Sequence, residues 1–148
     1  MKKLEKNEIV TTTLGEICTI EIGKTPSRGN KKYWDNEKKT NNIWLSIADL
    51  KNTNDNFVYD SKEYISDSGA KLCKKTPKGT LLMSFKLTLG RLAFAGSDLY
   101  TNEAIASIYI KDTTTIFDKY LFYYLSNINW DKLTEGDTKV KGKNIKQE

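Results

Sequence analysis

The sequence predicts an α+β protein with a mixed, mostly antiparallel twisted sheet or β-roll and an amphipathic helix near its C-terminus. Short runs of apolar and β-branched residues recur along the chain, and turn-forming residues separate them. One later segment instead has apolar residues at helical spacing. The length of 148 residues is that of a single domain with one hydrophobic core.

The first two predicted strands lie on either side of a polar stretch. Residues 14–22 are predicted to form a half-buried strand, because apolar and polar side chains alternate in the part from Cys18 to Ile22. The run 43–47 is short and β-rich, and a polar loop follows it as far as Asn56. Polar side chains at the end of such a strand are well placed to face a ligand.

The middle of the chain predicts one helical turn and three strands. Ser66 can cap a helical turn that follows it. Pro77 and Gly79 stand at the second and fourth positions of a four-residue stretch, where a type I turn favours them. The first strand after this turn is apolar enough to be buried on both faces. The predicted strands here are 80–85, 92–95 and 104–110.

The clearest helix is predicted to begin at Thr115, because Thr-Ile-Phe-Asp has the form of a capping box. Apolar side chains then recur at steps of three and four, so one stripe of the helix is predicted to pack on the sheet. The residues of this stripe are Phe117, Tyr120, Leu121, Tyr124, Leu125 and Ile128.

Composition excludes several classes of protein. The apolar fraction of 38% excludes a largely disordered chain, and no apolar run approaches the roughly 20 residues of a membrane span. We therefore expect a soluble, cytoplasmic protein. Histidine is absent, which removes the commonest general base and metal ligand. Cys18 and Cys73 are expected to be small core residues, and neither a metal nor a cofactor is expected.

The stretch Gly23-Lys24-Thr25 looks like part of a phosphate-binding loop for ATP, but its surroundings argue against that function. The motif needs a glycine five positions before Gly23, where this chain has Cys18. It also needs a helix at Thr25, which Pro26 disfavours. What remains is a basic loop without acids between Glu21 and Asp35.

Charge is distributed unevenly along the chain. The formal net charge is +5, and a second acid-free stretch, residues 68–97, holds six basic residues that include Lys86 and Arg91. Residues 49–67 hold five acids instead. This pattern favours a polyanionic partner, provided that the basic turns converge on one face of the folded protein.

Many short segments, in their order from Leu14 to Lys146, resemble the target recognition domain of type I restriction-modification specificity subunits. The order of the segments makes the resemblance specific. They are Leu14-Gly-Glu-Ile, Gly23-Lys-Thr-Pro-Ser, Tyr33-Trp, residues 43–50, Ile65-Ser with Gly69, Pro77-Lys-Gly-Thr-Leu-Leu, Ser84-Phe-Lys with Leu89-Gly-Arg, Thr101-Asn-Glu-Ala and Lys119-Tyr-Leu.

The resemblance implies a target-recognition-domain fold and a non-catalytic reader of double-stranded DNA in a phage-defence restriction system. Family members typically carry two such domains joined by long helices, and each domain reads one half of a split sequence. They hold a DNA methyltransferase (modification) subunit that methylates adenine N6 and a restriction subunit that cleaves. Here we expect an N-terminal extension at residues 1–13 and one domain at residues 14–148 without the helical spacer. A second recognition domain or a homodimer could complete the reader.

In such a reader, basic loops neutralise phosphates while polar side chains at strand ends contact base edges. The predicted phosphate contacts are Lys24, Thr25, Ser27, Arg28, Lys31, Lys32, Lys86 and Arg91. The predicted base contacts are Arg28, Ser46, Asp49, Asn52 and Asn54, whose side chains suit the major-groove code. Asp49 has the alternative of capping the turn that follows it.

Two alternatives belong to other classes of protein. Asp49-Leu-Lys51 and Asp60-Ser-Lys62 match the acid-x-Lys pair of metal-dependent nucleases, although chance produces this short pattern readily in such a chain. A module that only contacts partner subunits is the other alternative, and it would show no salt-dependent affinity for DNA.

Overall fold

Two β-sheets and four short helices make up the part of the chain that the computed structural model describes, residues 12–52 and 55–134. The helices are α1 (Leu14–Ile17), α2 (Asp67–Ala70), α3 (Asp118–Ser126) and α4 (Trp130–Thr134), and 3-10 turns occur at Lys31–Tyr33 and Ile47–Asn52. The strands are β1 (Cys18–Ile22), β2 (Ile43–Leu45), β3 (Phe57–Val58), β4 (Glu63–Tyr64), β5 (Leu81–Ser84), β6 (Leu92–Ala95), β7 (Tyr100–Thr101) and β8 (Ile105–Ile110).

The five-stranded sheet has the order β1-β8-β5-β6-β3, and the three-stranded sheet has the order β4-β2-β7. Within the first sheet, β1 with β8, β8 with β5 and β5 with β6 are antiparallel. Only β3 with β6 and β2 with β7 are parallel among these described strands. The predicted α+β class with a mixed, mostly antiparallel sheet is therefore confirmed.

The central strand β5 is buried on both faces, as predicted. Leu82 packs with residues of both sheets, including Leu45, so one hydrophobic cluster lies between the sheets. Its neighbours Leu81 and Met83 pack instead against α3 on the other face. Successive side chains of a strand point to opposite faces, which accounts for this division.

Helix α1 replaces the first part of the strand predicted at residues 14–22. The Thr13 hydroxyl accepts a hydrogen bond from the Glu16 amide at 3.3 Å, and the Glu16 carboxylate accepts one from the Thr13 amide at 3.4 Å. This reciprocal pair is a capping box. Strand β1 begins only at Cys18, which is buried as expected, whereas Cys73 is half-buried.

Two predictions of local structure in the middle of the chain have different outcomes. Ser66 caps α2 as predicted, because its hydroxyl accepts from the Gly69 amide at 3.1 Å. The predicted turn is displaced by one residue, since the Thr80 amide donates to the Pro77 carbonyl at 3.2 Å. Gly79 thus takes the third position with φ of 88°, which a type II turn requires.

Helix α3 begins later than predicted and buries a different stripe. Thr115 donates its hydroxyl to the Asp112 carbonyl in a preceding turn, and the N-cap is Phe117, without a side-chain cap. Phe117, Tyr120 and Tyr124 of the predicted stripe are exposed. The buried residues are Leu121, Phe122 and Leu125, and Ile128 packs against them. None of the described helices is long and apolar enough to span a bilayer.

Candidate nucleic-acid interface

Several strands end at the same place in the fold. Ile22, the last residue of β1, pairs with Ala106 at the start of β8, and Ser84 at the end of β5 pairs with Ile105. In the second sheet, Leu45 at the end of β2 pairs with Thr101 at the end of β7. The segments next to these residues lie together, and we call them the loop end. They are residues 23–28, 46–52, 85–91 and 102–104.

The short 102–104 segment holds the other three together through backbone hydrogen bonds. The Asn102 amide donates to the Leu45 carbonyl at 2.9 Å, which attaches the segment to the end of β2. The Phe85 amide donates to the Ala104 carbonyl at 3.0 Å, which attaches it to the 85–91 loop.

The Lys24 amide donates to the Thr101 carbonyl at 2.9 Å, so the basic loop also lies against the end of β7. Gly23 makes this approach possible. A Cβ at this position would lie 2.1 Å from the Thr101 carbonyl oxygen and 2.4 Å from that of Asn102, which is closer than nonbonded atoms come. The glycine of Gly-Lys-Thr therefore serves backbone packing, in agreement with the rejection of an ATP loop.

Glu103 lies among the basic residues of the loop end. Thr25 donates its hydroxyl to the Glu103 carboxylate, and this hydrogen bond is the main cause of a lowered Glu103 pKa. The positive charges of Lys86 and Arg28 lower that pKa further, against a partial burial that raises it. The causes of this lowered pKa thus include two basic residues from separate loops.

Thr25→Val is expected to raise the pKa of Glu103 toward its ordinary value, because valine preserves the shape but donates no hydrogen bond. A carboxylate with a lowered folded-state pKa stabilises the fold above its unfolded pKa, and this contribution is lost as pH falls through the folded pKa. The variant should therefore lose less stability on acidification than the wild type. An NMR titration of the Glu103 side-chain carbon checks the pKa, and an unchanged value would contradict the assignment.

Arg28 is held on the exposed side of the basic loop by two kinds of contact. Its guanidinium forms a bidentate ion pair with Glu63, whose second hydrogen bond measures 3.1 Å. It also lies 4.3 Å from the ring centroid of Trp34 and 5.0 Å from that of Trp44. These contacts fix the direction of the side chain, although 56% of it remains exposed.

Both tryptophans hold the backbone of the basic loop. The indole nitrogen of Trp44 donates to the Lys24 carbonyl at 3.1 Å, and that of Trp34 donates to the Ser27 carbonyl at 3.1 Å. The two rings meet edge to face with centroids 5.1 Å apart. Trp44 is only 1% exposed, so it joins the loop to the core and offers no surface on which a base could stack.

Ser46 and Asp49 are bonded to each other at the end of β2. The Asp49 carboxylate accepts from the Ser46 amide at 2.7 Å and from its hydroxyl at 3.1 Å. Its second oxygen accepts from the Lys62 amide at 3.0 Å. Asp49 therefore caps the 3-10 turn that contains it, and its role as a base contact stays a prediction. Asn52 ends this turn, and Asn54 lies outside the described residues.

Two further basic residues of the loop end differ in their attachment. Arg91 is half-buried, and its guanidinium donates to the Ile47 carbonyl at 3.3 Å, which joins the 85–91 loop to residues 46–52. The Lys86 ammonium lies 5.6 Å from the Phe85 ring and acts on Glu103. Lys86 is half-buried as well, so the two residues differ in that the Arg91 guanidinium is hydrogen-bonded to the protein backbone.

The other basic residues of the two acid-free stretches differ in their positions. Lys31 and Lys32 are exposed beside α2, where the Ser66 hydroxyl donates to the Lys32 carbonyl at 2.6 Å. Lys78 precedes β5 and so lies at the opposite end of that strand from Lys86. Lys74 pairs with Glu21 near the end of β1, and the neighbouring Cys73 thiol donates to the Lys24 carbonyl at 3.6 Å, so Lys74 lies beside the basic loop. Lys24, Lys86 and Arg91 thus belong to loops that meet at the loop end, and which basic residues contact DNA stays a prediction.

The acid-x-Lys pairs of the nuclease alternative are used in local structure. Asp60 accepts from the Tyr64 hydroxyl at 2.6 Å and from the Ser61 amide at 2.8 Å. These bonds lower the pKa of Asp60, and the same hydroxyl bond is the main cause that raises the pKa of Tyr64 to about 12. Within residues 12–52 and 55–134, no three acids or cysteines come close enough to hold a metal ion.

Glu103 is the site residue that sequence reasoning missed. It belongs to the quoted Thr-Asn-Glu-Ala segment, but nothing in that segment indicates contact with Thr25, which is 78 positions away. Such a contact follows only from the pairing of β1 with β8, which no local pattern specifies.

Comparison with known proteins agrees with this architecture. The type I restriction enzyme MjaIX specificity subunit of Methanocaldococcus jannaschii is 29% identical over 110 residues, which are 73% of this chain and 24% of the relative. The EcoprrI specificity subunit of Escherichia coli is 26% identical over 125 residues, 83% of this chain and 30% of the relative. The chain thus spans less than a third of either relative.

The fold is similar to that of the HsdS subunit from Thermoanaerobacter tengcongensis, with a TM-score of 0.56 and 20% identity over 88% of this chain and 29% of that one. A family model described as the type I restriction modification DNA specificity domain matches residues 6–147. The family is named for specificity, which agrees with the expectation of a non-catalytic chain. With nearly the whole chain matched, this protein belongs to the type I restriction modification DNA specificity domain family.

Proposed function

We propose that this chain reads one half of a bipartite duplex-DNA target in the cytoplasm and directs partner subunits to it. A modification subunit would methylate adenine N6 there, and a restriction subunit would cleave. The chain spans less than a third of its relatives, so a second recognition domain or a second copy of the chain would read the other half.

The single observation that carries the proposal is the meeting of separate basic loops around the 102–104 segment. The Lys24 amide donates to the Thr101 carbonyl just before this segment, and the Thr25 hydroxyl donates to Glu103 within it. From the other side, the Phe85 amide, next to Lys86, donates to the Ala104 carbonyl. Cations from several loops can neutralise phosphates on both sides of a groove. Polar residues between them can then reach base edges.

Within this proposal, Lys24 and Lys86 contact phosphates. Lys31, Lys32 and Arg91 are further phosphate contacts. Thr25 and Ser27 add hydroxyl groups that can donate to phosphate oxygens. Base reading falls to Ser46, Asp49, Asn52, Asn54 and Arg28. The exposed guanidinium of Arg28 is already oriented by Glu63 and Trp34. Arg28 would exchange part of this ion pair for a guanine edge.

Lys86→Ala is expected to weaken binding to every duplex by a similar factor and to lower the salt slope by about one unit. The reason is that each neutralised phosphate releases about 0.9 counterion from B-DNA. Fluorescence anisotropy of a labelled random-sequence duplex, titrated at several salt concentrations, measures this slope. Lys24→Ala is expected to behave in the same way.

Lys78→Ala is the matched control, because Lys78 is exposed but lies at the other end of β5. Its main-chain amide keeps the hydrogen bond to Asp98 in the variant, so the fold should be unaffected. Equal slopes for the wild type and Lys86→Ala would reject the phosphate contact. A reduced slope in Lys78→Ala would show that charge acts from the whole surface.

The same measurements discriminate the alternatives. A subunit-interaction module would show no salt-dependent affinity for duplex DNA. A nuclease would cleave plasmid DNA in the presence of magnesium and would lose that activity in Asp49→Asn or Asp60→Asn. Both acids hold backbone amides of their loops, so the melting temperature of each variant must be measured alongside.

A further inference from the structure

The tip of the 85–91 loop carries a leucine in an unfavourable conformation. Leu87 has φ of 62°, and the Thr88 amide donates to the Lys86 carbonyl at 2.7 Å across it. This hydrogen bond joins residues two positions apart and so closes a γ-turn. A γ-turn whose central residue has a positive φ is rare and strained. Glycine adopts such a φ readily, whereas a side chain with a Cβ does so at a cost.

The other non-glycine residues at positive φ in the described ranges are Lys38 and Asn56. Asparagine tolerates this conformation. The side chain of Lys38 is in use, since its ammonium donates to the Ser61 carbonyl at 2.8 Å and lies 4.8 Å from the Tyr64 ring. Leu87 instead is 82% exposed, so packing does little to offset its strain.

The base of the loop holds this tip in place. Ser84 is fully buried, and its hydroxyl donates to the Thr88 carbonyl at 2.5 Å and accepts from the Arg91 amide at 3.0 Å. The Gly90 amide donates to the Ser84 carbonyl at 2.9 Å. A loop fixed at its base in this way presents Leu87 outward in one conformation, and strain of this kind concentrates at functional sites.

Leu87 follows Lys86, the residue that acts on Glu103 at the loop end. We propose that Leu87 makes an apolar contact with the 5-methyl group of a thymine in the major groove, an inference that rests on the proposed function. An aliphatic side chain can neither donate nor accept a hydrogen bond, and the thymine methyl is the apolar group that a base pair presents there. Leu87 thus specifies thymine at one position of the target.

Leu87→Gly tests this contact because it removes the side chain and relieves the backbone strain together. The variant is expected to melt at the same temperature as the wild type or higher, and to keep its salt slope. Sequencing of duplexes bound from a random pool should show a thymine preference at one position for the wild type and none there for the variant. Lys86→Ala, the control, should keep that preference while its salt slope falls.

Deoxyuridine at the preferred position, which lacks only the methyl group, should weaken wild-type binding about fourfold and leave Leu87→Gly unaffected. An unchanged thymine preference in Leu87→Gly would overturn the inference and leave the proposed function standing. Wild-type binding to the deoxyuridine duplex as tight as to the thymine duplex would also overturn the inference. The same holds if Leu87→Gly melts below the wild type, because Leu87 would then serve the fold. A wild type without duplex affinity would refute both.

Discussion

Gly23→Ala is expected to lower the free energy of unfolding by about 3 kcal/mol, and the melting temperature by about 10 °C. The added methyl would overlap the carbonyl oxygens of Thr101 and Asn102, at 2.1 and 2.4 Å. These are backbone atoms that cannot rotate away, so the basic loop and the end of β7 must separate. The hydrogen bond from the Lys24 amide to Thr101 should then be lost, and DNA affinity with it.

Gly29→Ala is the matched control in the same loop. A methyl group at Gly29 would meet no atom within 4 Å, so its effect on stability should stay within about 0.5 kcal/mol. Thermal unfolding followed by circular dichroism compares the two variants directly. If Gly23→Ala melted as the wild type does, the close approach at Thr101 would be wrong, and the attachment of the basic loop to the loop end would need another explanation.

Local sequence patterns correctly predicted two kinds of element. These are strands that are buried on both faces and a helix that is capped by a nearby side chain. Strand β5 is apolar throughout and proved to be buried on both faces, and β6 has the predicted bounds Leu92–Ala95. Ser66 caps α2 through a contact only three positions away. The capping hydrogen bond joins residues of one segment, so the local sequence is enough to predict it. A strand that is buried on both faces can be predicted without knowing which face meets the core.

Patterns failed where two interpretations of the same residues compete. Helix α3 has apolar residues on more than one face, and periodicity alone cannot say which face meets the sheet. The aliphatic Leu121 and Leu125 are buried, while Tyr120 and Tyr124 stay at the surface with their polar hydroxyl groups. Strands β3 and β7 have two residues each, too few for any period to be recognised.

The candidate site was predictable as a set of residue types, but its arrangement was not. Basic loops and polar strand ends could be found in the sequence, yet Lys31 and Lys32 lie beside α2 while Lys86 joins the loop end. Which of them meet depends on the order of the strands. That order rests on pairings between distant residues, such as Ile22 with Ala106.

Trp44→Ala is expected to lower the free energy of unfolding by about 3–5 kcal/mol, as truncation of a fully buried aromatic ring does. The ring is 1% exposed and packs with Ile65 and Tyr100 in the core of the second sheet. It also holds the Lys24 carbonyl through its indole nitrogen. Loss of the ring should therefore release the basic loop as well as open a cavity.

Trp44→Phe and Leu125→Ala separate these two effects. Phenylalanine keeps most of the volume but cannot donate to Lys24, so it should cost less stability, about 1–2 kcal/mol, and still weaken DNA binding. Leu125→Ala should cost about 2–5 kcal/mol in the cluster under α3, but leave the DNA affinity of the folded protein unchanged. Denaturant unfolding measures the free energy of unfolding. Anisotropy titrations, made well below the melting temperature of each variant, measure DNA affinity. If affinity fell equally in Leu125→Ala and Trp44→Phe, general destabilisation would explain the loss, and Trp44 would have no special part in positioning the basic loop.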